Sequence, residues 1–570
     1  MKFSTAVLGL AALSSICSCQ EYELEDGTDH SNRPLIHLTP DKGWMNDPNG
    51  LWYDAKDELW HAYYQYYPEV AHWGRPLAWG HSVSSDLTIW NDTGVAIRPH
   101  RNDSGAYSGS MVIDYNNTSG FFNGSVDPRQ RVIAMWTFDS PGSETQHISY
   151  SVDGGYTFID YEQNPVLDIN ESNFRDPKVT WHEETSKWIV TIAHSQKFEI
   201  LIYSSPDMKD WTLESSFSHS GFLAFQYECP GLVKVPVVKA SNNDYVPANL
   251  TYPNSTTYNS SYFNTTFSQG DELEEAWVMF LSVNPGGPLG GSVNEYFIGD
   301  FNGTHFTPFT PQTRFVDFGK DFYAFQTFFN TPNGKDVIGL AWASNWQYCE
   351  AVPTRSWRSS MSIARNFTIQ EYAPNPESVE LNLNSMPVYD RESLIANQSR
   401  ITTHNRTLEK NSAIHLNLSN NGTGVFDFNL TWSLNSSVYT NSDVAEFSLY
   451  LIGSDNSEEY LRIGYEGNSG AFFLDRGHSD VDFVSRNPFF TDKLSTYLEP
   501  YETLENGLNS YKVYGIVDRN LIELFFNDGS EAMTNLFFFS DGNYINEVDI
   551  RTSIDHCYNI EELSIQQLGI

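Results

Sequence analysis

The sequence predicts an all-β chain, a five-bladed β-propeller followed by a β-sandwich, and three observations predict it. Aromatic residues make up 15% of the chain, and Gly, Asn, Ser and Thr fill the gaps between apolar runs, a mixture that suits strands joined by tight turns. An aspartate turn followed by an aromatic recurs at Asp86 to Trp90, Asp153 to Phe158, Asp207 to Trp211 and Asp300 to Phe306. Its spacing, roughly fifty to ninety residues, fits four-stranded blades with insertions better than a solenoid of short repeats. After residue 310 the echo stops, yet strand-like runs continue to the end of the chain.

Taken in order, residues 1–19 read as a signal peptide: Lys2, an apolar run from Ala6 to Leu13, and Ser14, Ser15 and Ser18 around the cleavage region. Cleavage would remove Cys17 and Cys19, leaving Cys229, Cys349 and Cys557, enough for at most one internal bridge. Eighteen Asn-X-Ser/Thr sequons, with the leader, point to a secreted glycoprotein, extracellular or in the cell-wall space. No later run is long enough to cross a membrane. A net charge of −39 and a pI near 4.5 repel polyanions, which argues against nucleic acid and anionic membranes and for a neutral ligand.

At 570 residues the chain exceeds one core. Residues 30–373 are assigned to the propeller: four echoes mark four blades, and a strand pair at Phe322 to Phe328 and Val337 to Trp342 makes a fifth. Ordinary hairpins in a sandwich are the competing reading. The polar stretch from about 237 to 275, with four sequons, reads as a glycosylated surface loop. Pro374, Pro376 and the polar run to Arg400 read as a linker over 374–400. The β-sandwich takes 401–570, with candidate strands at 445–450, 471–475 and 522–526.

Three short stretches carry the chemistry. Trp44-Met45-Asn46-Asp47-Pro48-Asn49-Gly50, Phe174-Arg175-Asp176-Pro177 and Tyr227-Glu228-Cys229-Pro230 each set a carboxylate beside a proline expected to end a strand. Alone, each reads as a turn or a surface ion pair; together, three fixed carboxylates form a glycosidase pattern. Asn46, Gln65 and Ser108 offer amide and hydroxyl groups to a neutral sugar, or polarity to a turn. Trp73 and Trp346 offer apolar walls, or plain core. His81 reads as packed. No zinc spacing and no calcium loop occurs, so neither metal nor cofactor is assigned.

These motifs, with Trp79-Gly80-His81, Ser108-Gly109-Ser110, Asp153 to Phe158 and Trp342 to Trp346, resemble glycoside hydrolase family 32, the invertases and inulinases. The resemblance covers nearly the whole mature chain and is closest to secreted yeast β-fructofuranosidases. It implies a five-bladed propeller with a funnel active site, a following sandwich, and cleavage of β-fructofuranosides with retention. Asp47 is then the nucleophile and Glu228 the proton donor, kept protonated by less polar neighbours at a pKa of about 6 or 7. Asp176 binds sugar hydroxyls, held ionised by Arg175. Trp44 and Tyr107, at the same motifs, join the substrate-contact set.

The expected substrate is sucrose, with transfer of fructose to another sugar as a side reaction. Exo-inulinase action on fructans, another propeller glycosidase such as one cutting arabinan, and a non-catalytic sugar-binding propeller are the alternatives. Family relatives also associate through the sandwich, implying a homo-oligomer. Departures from the family pattern at Tyr67, Tyr107 and Glu295 fall near the funnel motifs and bear on the leaving-group side.

Overall fold

The computed structural model describes residues 32–222, 224–238, 273–375, 378–395, 398–418 and 422–570. The leader and nearly all of the 237–275 loop lie outside the described residues. The regular structure of the described chain is almost entirely strand, with short α-helices at Arg391–Ile395 and Val481–Arg486. No described helix is long and apolar enough to cross a membrane.

The first part of the chain forms five sheets of four or five strands, each built from strands nearly consecutive in sequence. Their innermost strands are Gly43–Asp54, Gly105–Ile113, Phe174–His182, Tyr227–Pro236 and Tyr323–Thr327. Each of these touches the next, and the last touches the first, so the sheets close into a ring. One apolar cluster fills the gap between each neighbouring pair of sheets; Trp52, Trp79, Met111 and Trp136, for instance, lie between the first and second. A propeller results because each sheet is apolar on both faces and can bury both only against two neighbours. The ring is latched where Trp357 and Arg358, from the segment inside the fifth sheet, pair in parallel with Gly43 and Trp44 of the first.

The sequence echo is the turn between the third and fourth strands of successive blades. Asp86 Oδ1 accepts the N–H groups of Thr88 (2.9 Å) and Ile89 (3.0 Å). Asp153 does the same for Tyr156 and Thr157, and Asp207 for Lys209 and Asp210. An aspartate that bonds the backbone two or three residues on replaces ladder partners lost at the turn. In the fourth blade this role falls to Asn302, which accepts from Thr304 (3.0 Å) and His305 (2.9 Å), while Asp300 stays in the strand.

The stretch expected to be a linker is partly strand. Ser378–Pro387 pairs along nearly its whole length with Arg365–Asn375 and forms the outer strand of the fifth sheet. The boundary expected at 374 therefore falls inside a hairpin, and Leu381 and Leu383 alternate with polar residues along its second strand. Beyond it, a seven-stranded and a six-stranded sheet pack face to face around Phe428, Trp432, Phe447, Leu474 and Leu524. Cys229, Cys349 and Cys557 are all buried and unbridged.

Buried ions join the two parts. Arg365 in the fifth sheet bonds Asp317 (2.9 Å) and Glu523 of the sandwich (2.5 Å). Arg476 of the sandwich bonds Asp321 (2.8 Å). His37, near the start of the described chain, lies between Asp518 (2.7 Å) and Glu523 (3.2 Å) with no exposed side-chain surface. Burial alone would lower the His37 pKa, but its bonds to the two carboxylates prevail and lift it to about 9. A histidine raised in the folded state contributes stability fully below its unfolded value of about 6.5 and loses it as pH climbs through the folded value. Calorimetry should therefore show Tm falling between neutral pH and pH values above 9. His37→Gln should cost about 3–5 kcal/mol at neutral pH and flatten that fall, because it leaves buried carboxylates short of a cation.

Candidate active site

Each innermost strand is broken in register, and the first carries a second break between Asn49 and Trp52. The other breaks fall between Met45 and Pro48, Tyr107 and Gly109, Arg175 and Lys178, Glu228 and Gly231, and Tyr323 and Gln326. A bulge inserts an unpaired residue and re-aims side chains that a regular strand would alternate between its faces. Asp176 (φ 65°), Cys229 (φ 44°) and Ala324 (φ 54°) take left-handed backbone inside these bulges. Pro48, Pro177 and Pro230 lie within strands and do not end them. Pro177 and Pro230 fall among bulge residues that have no partner across the ladder, so a missing N–H there breaks no ladder bond.

The bulges bring Asp47, Asp176 and Glu228 to one cavity of about 320 Å³, although the three lie on different blades. Asn46, Gln65, Trp73, Tyr107, Ser108, Arg175 and Trp346 line the same cavity. Trp44 does not. It is fully buried behind the wall, packed on Trp342 and Trp346 at ring separations of 6.0 and 5.9 Å, and its indole N–H donates to Asn46 Oδ1 at 2.7 Å. Its ring fits the aromatic cluster beneath the funnel, so it orients a lining residue without reaching the space itself.

Asp47 accepts from Ser108 Oγ (2.7 Å), Asn46 Nδ2 (3.1 Å) and the Cys229 thiol (3.5 Å). Asp176 accepts from the Cys229 backbone N–H at 2.9 Å. Glu228 lies between Tyr323, whose hydroxyl donates to Oε2 at 2.6 Å, and Arg175, whose Nη2 and Nε donate to Oε1 at 2.9 and 3.2 Å. It therefore meets two strong donors, not the less polar surroundings expected from its chain neighbours. The hydrogen bonds of Arg175 go to Glu228, Glu144 and Asn173, none to Asp176, while its charge still favours the ionised form of Asp176 against burial. The left-handed backbone at Asp176 makes these consecutive side chains diverge.

Burial is the largest influence on both aspartates and raises them. For Asp47 the charge of Glu228 adds to the rise, while the bonds from Ser108, Asn46 and Cys229 oppose it. For Asp176 burial is opposed by Arg175 and by the Cys229 N–H, and reinforced by the charges of Glu228 and Asp47.

Tyr323 and Glu144 escaped the sequence reading. Tyr323 sits 95 residues from Glu228, in a strand whose pattern says only "buried". Of the three departures, Tyr107 lines the cavity and holds its hydroxyl against Arg75 at 2.9 Å. Tyr67 packs over Gly74, and Glu295 is buried on the fourth sheet, accepting the Phe222 N–H at 2.9 Å; neither lines the cavity. His81 is a packed histidine, stacked on Tyr63 and 3.0 Å from His61, and burial pushes its pKa well down. Among the described residues one grouping suited to a metal, His415, Glu547 and Asp549, lies on the sandwich, where Asp549 already bonds Arg551 at 2.7 Å.

Residues 37–377 match the model of the glycosyl hydrolases family 32 N-terminal domain, and residues 391–565 match that of the family 32 C-terminal domain. The chain belongs to glycosyl hydrolase family 32. It is 54% identical to the invertase of Kluyveromyces lactis over 95% of this chain and 93% of that protein. An extracellular exo-inulinase of Meyerozyma guilliermondii is 47% identical, over 93% of this chain and 94% of its own. Among solved structures, the β-fructofuranosidase of Schwanniomyces occidentalis complexed with fructosyl-erythritol superposes with a TM-score of 0.86 at 43% identity, covering 96% of this chain and all of that one. Family 32 membership makes this protein a glycoside hydrolase, and its all-β architecture with a terminal sandwich agrees with these neighbours.

Proposed function

We propose that this family 32 enzyme is a secreted, retaining β-fructofuranosidase that releases terminal fructose from sucrose and, more slowly, from fructans. The observation that carries the reading is the convergence of Asp47, Asp176 and Glu228 on one cavity walled by neutral hydrogen-bonding groups and tryptophan. The invertase relative supports sucrose as the leading substrate, and the exo-inulinase relative supports activity on longer chains. Secretion rests on the leader and on the relative described as extracellular.

Cleavage of a fructofuranosyl bond builds positive charge at the anomeric carbon. Asp47 attacks that carbon while the glycosidic C–O bond breaks, and the carboxyl proton of Glu228 passes to the departing oxygen. The product is a fructosyl ester on Asp47. Glu228, now a carboxylate, takes a proton from water as that water opens the ester and regenerates Asp47. A sugar alcohol in place of water gives transfer. Asp176 accepts fructose hydroxyls, Asn46 and Gln65 present amides to the same ring, and Trp73 and Trp346 form apolar walls. Tyr323 and Arg175 fix the Glu228 carboxyl through both of its oxygens.

Incubation with sucrose should yield glucose and fructose in equal amounts, and arabinan should be left intact. Asp47→Asn and Glu228→Gln should fold normally and lose about 10²–10⁴ in kcat. A variant that turned over sucrose at near the parent rate would remove its residue from the assigned role. The ratio of kcat/KM for sucrose and inulin measures the preference between the two substrates.

The nucleophile must be ionised, and burial raises Asp47, so the acid limb of kcat/KM should lie above the pH at which an ordinary aspartate titrates. Ser108 donates to the ionised form. Ser108→Ala withdraws that support, raises Asp47 further and should move the acid limb to higher pH; a limb that stays in place or moves down would mean that the bond does not tune the nucleophile.

A further inference from the structure

Glu144 stands in the cavity wall but belongs to no motif of the sequence. It lies on the strand Ser143–Ser151, opposite Asp139, with both carboxylate oxygens 3.3 Å from Arg175 Nη1. The other edge of the same guanidinium, Nη2 and Nε, reaches Glu228 Oε1. One cation thus spans two carboxylates on different blades, and side chains about nine-tenths buried screen none of the three charges well.

We propose that Glu144 is a positioning residue that divides the charge of Arg175 and so governs how readily Glu228 hands its proton to the departing oxygen. Were Glu144 neutral, Glu228 would be the one ion-paired carboxylate left to the guanidinium, which would then favour that carboxylate more strongly, the form that has no proton to give. The remaining groups around this pair are fixed. Asn173 accepts from Arg175 Nη1 (3.2 Å), Tyr323 donates to Glu228, Asp47, Asp176 and the Cys229 thiol lie across the cavity, and Asp139 behind Glu144 is paired with Arg75. Of these, Asn173 also meets Nη1, but it is neutral, so the negative charge on that side of Arg175 comes from Glu144.

The inference rests on Glu228 being the proton donor, and leaving groups separate it from a structural role. A glucose alkoxide leaves poorly and needs the proton, whereas a nitrophenolate leaves without it. Glu144→Gln keeps the shape and removes the charge. For this variant, kcat/KM should fall about ten- to a hundredfold on sucrose, and the loss on p-nitrophenyl β-D-fructofuranoside should be at least tenfold smaller. Glu144→Asp retains the charge and should keep the ratio of the two losses within about threefold of the parent. Equal losses on both substrates, an equal ratio in the two variants, or loss of near-UV circular dichroism in Glu144→Gln would each overturn the proposal. Glu228→Gln is run alongside. If it fails to hit sucrose harder than the aryl substrate, the assignment of Glu228 falls; if it does and Glu144→Gln does not, only this inference falls.

Discussion

Three carboxylates held in one buried cavity repel each other, and the rest of the propeller centre is arranged around that repulsion. One guanidinium serves two acids, Glu228 and Glu144, and the three catalytic candidates draw on short-range donors for the remainder: a serine and an asparagine for Asp47, a backbone N–H for Asp176, a tyrosine for Glu228. Such donors stabilise an anion without adding a mobile charge, and they come from four different inner strands only because the sheets close into a ring. The result is a site poor in cations, suited to a neutral sugar whose reaction develops positive charge.

Closure of the ring and exposure of polar groups make opposite demands on the same strands. An inner strand must seal against both neighbours with apolar residues, yet present charge to the cavity. The bulges reconcile the two, since each releases one or two residues from the pleat while the remainder keeps its register. Proline is tolerated there, and left-handed backbone at Asp176 and Cys229 separates side chains that adjacency in sequence would suggest act together. Arg175 and Asp176 are the plainest instance.

The sandwich contributes no side chain to the cavity, but it is bound to the propeller by ion pairs with almost no exposed surface. Buried pairs of this kind add little net stability compared with apolar packing, while loss of one partner is costly. Their arrangement at Asp317, Asp321, Arg365, Arg476 and Glu523 therefore specifies how the two parts dock more than how strongly.

Turn chemistry, strand composition and the three acidic motifs are local properties, written in neighbouring residues, and so the all-β class, the four blade turns and the identity of the acids were legible in the sequence. Of the eight residues expected to contact substrate, seven line the cavity; Asn46 and Arg175 lie within those motifs, and the other five stand elsewhere in the chain. The hairpin at 365–387 was hidden by Pro374, since a proline marks a turn and a boundary alike. What only the tertiary structure decided is which donor meets which acid: Trp44 behind the wall, Arg175 on Glu228, Tyr323 on the same carboxylate from 95 residues away, Glu144 on the far side of the guanidinium. Those partnerships depend on ring closure and on the direction a bulge gives a side chain, and neither is encoded in the residues that flank the contact.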